Sequence, residues 1–364
     1  MSMIPVYVPS LRGNEAAYVE DAVRSGWISS LGEYVDRFEA SIREVTGARH
    51  AIALCNGSVA LHLALHCLDV GPGDEVIVPT FTYIASVNAI ALAGATPVFV
   101  DVDPADWLID PRGVEQAITP RTKAVMPVDL YSAVSSPEVI DIARAHGLGV
   151  VEDCAEVFGA TVGGRHVGLD ADVATFSFFG NKTVTTGEGG AVISNDDALA
   201  ARMRKVKGQG QSLTTRYWHD ELGFNYRMTN IAAAIGVAQI ERLDEIRVRK
   251  QQIAAYYRDA LANSGVSFQH LADDLDSSEW MVSLLLPRGL DRDRVMDDLR
   301  AQGVDSRPVF YCAHEMPMYA TGQSFPVSSD IASRGISLPS YPDLSDGDVE
   351  QVVTALKSSI KRQG

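Results

Sequence analysis

The chain has 364 residues, its hydrophobic content is 46%, and its formal net charge at pH 7 is −16. This length suits one large and one smaller domain, and the apolar content supports a sizeable core. The negative charge argues against nucleic acids and anionic membranes as general partners, although it leaves room for a local pocket that binds a phosphorylated ligand.

The cellular location is predicted from what the sequence lacks. Residues 1–5 carry no basic region followed by an apolar run, so no signal peptide is expected. No uninterrupted apolar stretch reaches the roughly 18 residues that a spanning helix needs. The cysteines are far apart and form no C-x-x-C pair, which is typical of reduced, buried thiols in a cytoplasmic protein; they are Cys55, Cys67, Cys154 and Cys312.

The predicted elements begin with helices at residues 15–25 and 34–45. Strands and helices then alternate: strands are expected at 51–55, 75–79, 96–100, 123–128 and 149–153, and helices at 59–68, 84–93 and 137–146. Segments of this length in alternation predict a parallel sheet with right-handed crossovers.

The second half of the chain is predicted to complete this sheet and then form a second domain. Glycines at 163–164 indicate a hairpin, strands are expected at 174–179 and 191–194, and a helix at 196–206. One long helix is predicted over 230–257, and we place the domain boundary along it, with a large domain at 1–240 and a small domain at 241–364. The small domain is expected to contain a strand near 280–286, a helix at 292–302, a strand or extended arm at 307–311 and a terminal helix at 346–360.

A strand, a turn of small residues and a helix start meet at Asn56-Gly57-Ser58. Such a helix N-terminus can bind an anion, because its unpaired N–H groups and its dipole point at the ligand. An ordinary turn capped by Ser58 is the alternative interpretation. In the following helix, His62 and His66 lie one turn apart, but no third ligand is evident, so packing is favoured and no metal site is predicted.

Lys182 follows a strand in which Phe176 and Phe178 alternate with polar residues, and glycines follow it at 187, 189 and 190. A lysine on a loop can be a solvated surface residue, or it can be a partly desolvated amine that forms a Schiff base with a carbonyl compound. The spacing alone favours neither. Asp153 ends an apolar strand, where ligands of open α/β sheets bind, although a helix cap or buried ion pair would also explain it.

Three features now stand in order: Asn56-Gly57-Ser58, the acidic segment 152–156 and the lysine segment 177–182. Their order and spacing resemble the DegT/DnrJ/EryC1/StrS sugar aminotransferases, which are pyridoxal-phosphate (PLP) enzymes of fold type I. Longer similar stretches lie at 26–39, 73–88, 175–190, 216–245 and 305–311, and together they run from about residue 5 to residue 345. The resemblance implies a large α/β domain with a mostly parallel mixed sheet and a smaller C-terminal α+β domain.

The resemblance also implies roles for individual residues. Lys182 would hold PLP and move the proton between substrate and cofactor, and Asp153 would pair with the pyridinium nitrogen. Tyr83 would stack on the ring, and Glu156 would face the 3-hydroxyl group. The remaining implied contacts are the phosphate site of Gly57, Ser58 and Ser177, the arm residues Tyr311 and His314 beside the substrate, and Asn225, which would reach the phosphate in a neighbouring subunit of a homodimer with shared active sites.

The implied reaction moves an amino group from L-glutamate to a nucleotide-linked keto sugar. GDP-4-keto-6-deoxy-D-mannose, which would give GDP-perosamine, is the first expectation. Amination at C3 of GDP-3-keto-6-deoxymannose or a related sugar is the alternative, and a catalytically weak PLP-fold binding subunit is a third hypothesis. The departure from the family pattern is at 129–133, where relatives usually have His-Leu-Tyr-Gly-Gln and this chain has Asp129-Leu-Tyr-Ser-Ala. An acid near the cofactor is therefore expected to affect the substrate.

Overall fold

The computed structural model describes residues 3–212, 214–320 and 322–363. Its helices, in chain order, are α1 Glu15–Ser25, α2 Glu33–Thr46, α3 Gly57–Cys67, α4 Ile84–Leu92, α5 Pro111–Ala117, α6 Pro137–Ala145, α7 Asp197–Lys207, α8 Asn230–Ile240, α9 Leu243–Leu261, α10 Arg292–Ala301, α11 Pro326–Arg334 and α12 Asp346–Gln363. Within the described ranges, none of these helices combines the length and the apolar character needed to traverse a bilayer.

The strands form three sheets. In chain order they are β1 His50–Leu54, β2 Glu75–Pro79, β3 Thr96–Val100, β4 Thr122–Val125, β5 Gly149–Asp153, β6 Thr161–Val162, β7 Arg165–His166, β8 Val173–Ser177, β9 Gly190–Ser194, β10 Ser267–Phe268, β11 Leu275–Asp276, β12 Ser283–Leu285, β13 Arg307–Pro308 and β14 Gly335–Ser337. The predicted hairpin at Gly163 and Gly164 is the β6–β7 turn, where both glycines have positive φ angles of 57° and 79°.

The central sheet has seven strands in the order β1-β9-β8-β5-β4-β2-β3. β9 is antiparallel to both of its neighbours, and the other pairs are parallel. Strands such as β2 are buried along their whole length, because helices cover both faces of a parallel sheet. The carboxyl ends of β1, β2, β4, β5 and β8 therefore share one edge with the amino end of β9, and this edge carries the site described below.

Two predicted helix boundaries are wrong for identifiable reasons. α3 begins at Gly57 rather than at residue 59, because the Asn56 side chain caps it by accepting the Val59 N–H at 3.0 Å. Ser58 is therefore not the cap. The single helix predicted over 230–257 is two helices, since Arg242 leaves the helical conformation and its guanidinium group hydrogen-bonds Glu245 at the start of α9.

The C-terminal part builds a four-stranded antiparallel sheet in the order β10-β12-β14-β13. The predicted strand at 280–286 is limited to β12, and the arm at 307–311 contains only the short β13 before an extended segment. The N-terminal segment joins this part of the structure, because Ile4 pairs with Val304 and its N–H donates to the Gly303 carbonyl at 2.8 Å. The boundary at residue 240 remains a prediction.

Candidate active site

A cavity of about 470 Å³ opens at the shared edge of the central sheet. Segments that directly follow β1, β2, β4, β5 and β8 line one side of it, and residues of the C-terminal part line the other. Eight residues singled out by the sequence lie on its wall: Gly57, Ser58, Tyr83, Asp129, Asp153, Glu156, Ser177 and Lys182. The topology thus brings together residues that are separated by more than a hundred positions in the chain.

Lys182 lies in the tight connection between β8 and β9. Its own N–H donates to the Phe179 carbonyl at 2.9 Å, and its carbonyl accepts the Tyr7 hydroxyl at 2.6 Å. The side chain is only 13% exposed, and its Nζ lies 3.3 Å from Glu156 Oε1. This burial disfavours the solvated-surface interpretation and fits an amine that is held inside the cavity.

Asp153 ends β5 with its carboxylate at the base of the cavity. Oδ2 accepts the Ser86 hydroxyl at 2.7 Å, and Oδ1 accepts the Ala155 N–H at 3.2 Å. Burial raises the pKa of this carboxyl group, while the bond from Ser86 and the charge of Lys182 act in the opposite direction. A buried carboxylate with these fixed donors is suited to pair with a ligand cation.

Glu156 lies beside Lys182 and is hydrogen-bonded to the segment that follows β4. Its Oε2 accepts the Tyr131 N–H at 2.7 Å. Burial raises the pKa of Glu156 to about 7, although the nearby charge of Lys182 opposes the shift. The group can therefore gain or lose a proton near neutral pH, which is what proton exchange with an adjacent amine requires.

An anion cradle forms where the start of α3 approaches the end of β8; we define it as Gly57, Ser58 and Ser177. A Cβ atom on Gly57 would lie 2.9 Å from the Ser177 Cβ, so only glycine allows this approach. The first turn of α3 contains no acidic residue. Free N–H groups, two hydroxyl groups and the helix dipole together make the cradle suitable for a phosphate group.

Tyr83 and three residues not singled out as site residues form an aromatic wall; we define it as Tyr83, Tyr131, Trp280 and Phe310. Tyr131 stacks on Trp280 at a centroid distance of 5.9 Å and on Phe310 at 5.3 Å, and Tyr83 packs on Phe310 at 5.3 Å. Trp280 and Phe310 lie in segments predicted only as strand or arm. No local pattern marks them as site residues, since their position depends on how the C-terminal part packs.

Asp129 lines the cavity, but its carboxylate oxygens are engaged elsewhere. Oδ1 accepts the Ser135 N–H at 2.8 Å, and Oδ2 accepts the Cys154 thiol at 3.4 Å. Burial raises the pKa of Asp129 to about 6, and burial together with the Asp129 charge raises that of Glu152. Because two buried carboxylates repel each other, the pair retains a proton near neutral pH. The substrate role of Asp129 stays a prediction.

Ligand atoms of Asp129, Glu152 and Cys154 lie within 4.8 Å of one another, so these described residues could in principle hold a metal ion. Burial raises the pKa of the Cys154 thiol well above its ordinary value. The thiol donates to Asp129, so it would have to release this proton before it could bind a metal ion. We therefore interpret this group as a buried proton-sharing cluster that anchors the loop after β4.

Three residues implied by the resemblance do not line the cavity of this chain. Asn225 pairs with Gly208, and its Oδ1 accepts the Arg227 Nε–H at 2.9 Å. Tyr311 is half exposed beside Arg292, which donates to its hydroxyl at 3.4 Å. His314 is buried, with Nδ1 2.7 Å from the Thr80 hydroxyl. Their proposed roles remain predictions.

Known proteins similar to this chain are consistent with the geometry. Residues 9–357 match the DegT/DnrJ/EryC1/StrS aminotransferase family. The GDP-perosamine synthase of Escherichia coli O157:H7 is 48% identical over 360 residues, or 98% of each chain. That of Vibrio cholerae is 46% identical over 362 residues, which cover 98% of this chain and 99% of the relative. A solved structure of a candidate sugar aminotransferase from Streptococcus pneumoniae, in its PLP form, has a TM-score of 0.93 at 27% identity and covers 100% of both chains.

Proposed function

Because this chain belongs to the DegT/DnrJ/EryC1/StrS aminotransferase family, we propose that it transfers the amino group of L-glutamate to GDP-4-keto-6-deoxy-D-mannose and forms GDP-perosamine. Family membership confirms the predicted family, the fold class and the enzyme class, with PLP as the cofactor. The substrate proposal rests on one observation: this chain is 48% identical to a GDP-perosamine synthase over 98% of its length.

The residues of the cavity fit the cofactor. PLP, when bound, supplies an electron sink and a carrier for the amino group. The anion cradle would hold its phosphate, Asp153 would hold a proton on the ring nitrogen, and Tyr83 would cover the ring. Glu156 would face the 3-hydroxyl group, and Lys182 is the amine that can form the covalent link.

Lys182 and Glu156 also provide a route for protons. Lys182 Nζ and Glu156 Oε1 are 3.3 Å apart, which permits direct transfer between them. Since burial raises the pKa of Glu156 to about 7, this carboxyl group can take up or release a proton near neutral pH. Lys182 would move the proton at the substrate carbon, and Glu156 would restore the protonation state of the amine.

A homodimer with shared active sites is supported by the surface around Asn225. Asn225 lies outside the cavity of its own chain, so a role at an active site would require a second copy. Large apolar side chains on nearby segments are exposed by between 58% and 76%: Trp27, Leu31, Tyr217, Trp218 and Leu222. A second copy would remove this surface from water, which stabilises association.

A cytoplasmic location is supported by the unpaired state of all four cysteines.

The first experiment follows the absorbance of the purified holoenzyme during the two half-reactions. L-glutamate is expected to convert the visible band to that of the pyridoxamine form, and GDP-4-keto-6-deoxymannose is expected to restore it. Analysis of the product should identify an amino group at C4. A 3-amino product would contradict the substrate proposal, and an unchanged spectrum with glutamate would contradict the donor.

The shared site predicts complementation between one impaired variant and one inactive variant. Asn225→Ala should lower kcat/KM by roughly 10- to 100-fold, because one hydrogen bond to a charged phosphate is lost. When Asn225→Ala and Lys182→Ala chains are mixed and allowed to exchange, a mixed dimer has one site with both native residues. Activity should then rise above that of either variant alone. No rise, despite subunit exchange shown by native mass spectrometry, would place Asn225 in the site of its own chain or in neither.

A further inference from the structure

The free amine of Lys182 contacts two groups inside the cavity. Glu156 Oε1 lies at 3.3 Å, and the centroid of the Trp280 ring lies at 3.9 Å from Nζ. An ammonium group over the face of a tryptophan is attracted by the ring electrons, and the attraction is greatest where water is excluded. Trp280 is 4% exposed, so the contact is largely desolvated.

Trp280 is fixed independently of Lys182. Its indole Nε1–H donates to the Asn181 carbonyl at 2.8 Å, and its own carbonyl accepts Lys250 Nζ at 2.9 Å. Lys250 is fully buried, and it also donates to the Ser340 carbonyl at 2.7 Å. The indole ring therefore has a set position even when the lysine moves.

The two partners of Lys182 are also joined to each other. Tyr131 stacks on Trp280 with an interplanar angle of 15°, and the Tyr131 N–H donates to Glu156 Oε2 at 2.7 Å. Lys182, Trp280, Tyr131 and Glu156 thus form a closed ring of contacts. These contacts fix the positions of the Glu156 carboxylate and the Trp280 indole relative to the Lys182 amine.

We propose that Trp280 and Glu156 form a holding site for the free Lys182 amine, which keeps Nζ inside the cavity whenever it is not bonded to the cofactor. Trp280 is thereby a positioning residue for the reactive lysine. The consequence for turnover rests on the proposed function, because a transaminase lysine has to leave the cofactor and return in every cycle. The holding site itself is a property of the protein chain alone.

The holding site predicts how the amine of the apoprotein reacts as pH changes. Glu156 and Asp153 are the carboxylates on which the Lys182 charge acts, and the charged side chains of Glu188 and Arg307 also line the cavity. Tyr131 lies behind Glu156, and the Tyr7 hydroxyl donates to the Lys182 carbonyl. The indole favours the ammonium over the neutral amine. Removing it should therefore shift the pH midpoint at which Lys182 becomes reactive to lower pH, by roughly 0.4 to 1.5 units.

The test is trace acetylation of the full-length apoprotein with isotope-labelled acetic anhydride across a pH series, followed by peptide mass spectrometry. Trp280→Leu should give the full shift. Trp280→Phe keeps an aromatic ring, but a phenyl face attracts a cation less strongly than an indole face. This variant should therefore give a smaller shift of the midpoint in the same direction. Phe310→Leu is the matched control, since it removes another ring of the aromatic wall, and it should leave the midpoint unchanged.

A midpoint that stays at the wild-type value or rises in both Trp280 variants would overturn the proposal. If Trp280→Leu does not fold, the midpoint measured for Trp280→Phe still tests the proposal. The proposed function is tested separately by adding PLP to the wild-type apoprotein: failure to recover a visible band would contradict the cofactor role of Lys182 and leave the acetylation result intact.

Discussion

Replacing Lys182 with alanine is expected to lower turnover by at least about 10⁴-fold, because it removes both the covalent link to the cofactor and the group that moves the proton. Among the described residues of the cavity wall, Arg307 is the other cationic side chain, and a guanidinium group does not lose its proton in a protein. No substitute nucleophile of the same kind is therefore available there. The measurement is the rate of GDP-perosamine formation from the keto sugar and glutamate.

The same variant should keep the fold and the oligomeric state of the wild type. The Lys182 carbonyl, which accepts the Tyr7 hydroxyl, belongs to the backbone and survives the substitution. Light scattering should give the wild-type mass. Lys357→Ala, at an exposed position of α12, is the matched control for loss of a lysine and should retain the wild-type rate within about twofold. Normal turnover in Lys182→Ala would refute the central assignment of the site.

Asp153→Asn is expected to reduce turnover by roughly 10²- to 10³-fold, because the uncharged amide cannot hold a proton on the cofactor ring. Asparagine has nearly the same shape as aspartate, and its amide oxygen can still accept the Ser86 hydroxyl that lies 2.7 Å away. The substitution therefore removes charge and largely preserves geometry. Each half-reaction should slow when followed by single-turnover absorbance.

Ser86→Ala provides the comparison for this variant. It removes one donor to Asp153 but leaves the negative charge in place, so its loss of rate should be much smaller, about tenfold or less. Equal losses in the two variants would indicate that the orientation of Asp153 matters more than its charge. A wild-type rate in Asp153→Asn would mean that another group keeps the ring protonated.

The residues that the sequence identified are those whose position follows from local structure. Asp153 and Ser177 end strands, and Lys182 lies on the turn after one, so a parallel sheet is enough to bring them to one edge. For the anion cradle, a strand-turn-helix pattern suggested Gly57 and Ser58, and the family resemblance added Ser177. The residue that caps α3 could not be predicted from the sequence, because Asn56 and Ser58 are both suitable cap residues. Only the backbone geometry shows which of them accepts the N–H.

The residues that the sequence missed depend on distant packing. Trp280 reaches Lys182 only because the C-terminal part folds back over the sheet, and Lys250 supports it from the middle of α9. Hydrophobic periodicity also joined α8 and α9 into one helix, since it registers apolar spacing and not the side-chain contacts of Arg242. The role proposed for Asn225 involves a second chain, and no pattern within one copy can test it.

The reversed direction of β9 has a consequence for how the enzyme acquires its activity during synthesis. β9 pairs with β1, which leaves the ribosome far earlier, and each end of the lysine loop is anchored in this strand or in β8. Strands that are far apart in the sequence pair slowly during folding, because a long loop has to close first. We therefore expect the site around the reactive amine to be complete only once β9 has paired with both β8 and β1, so that partly folded chains lack a competent site for an aldehyde cofactor.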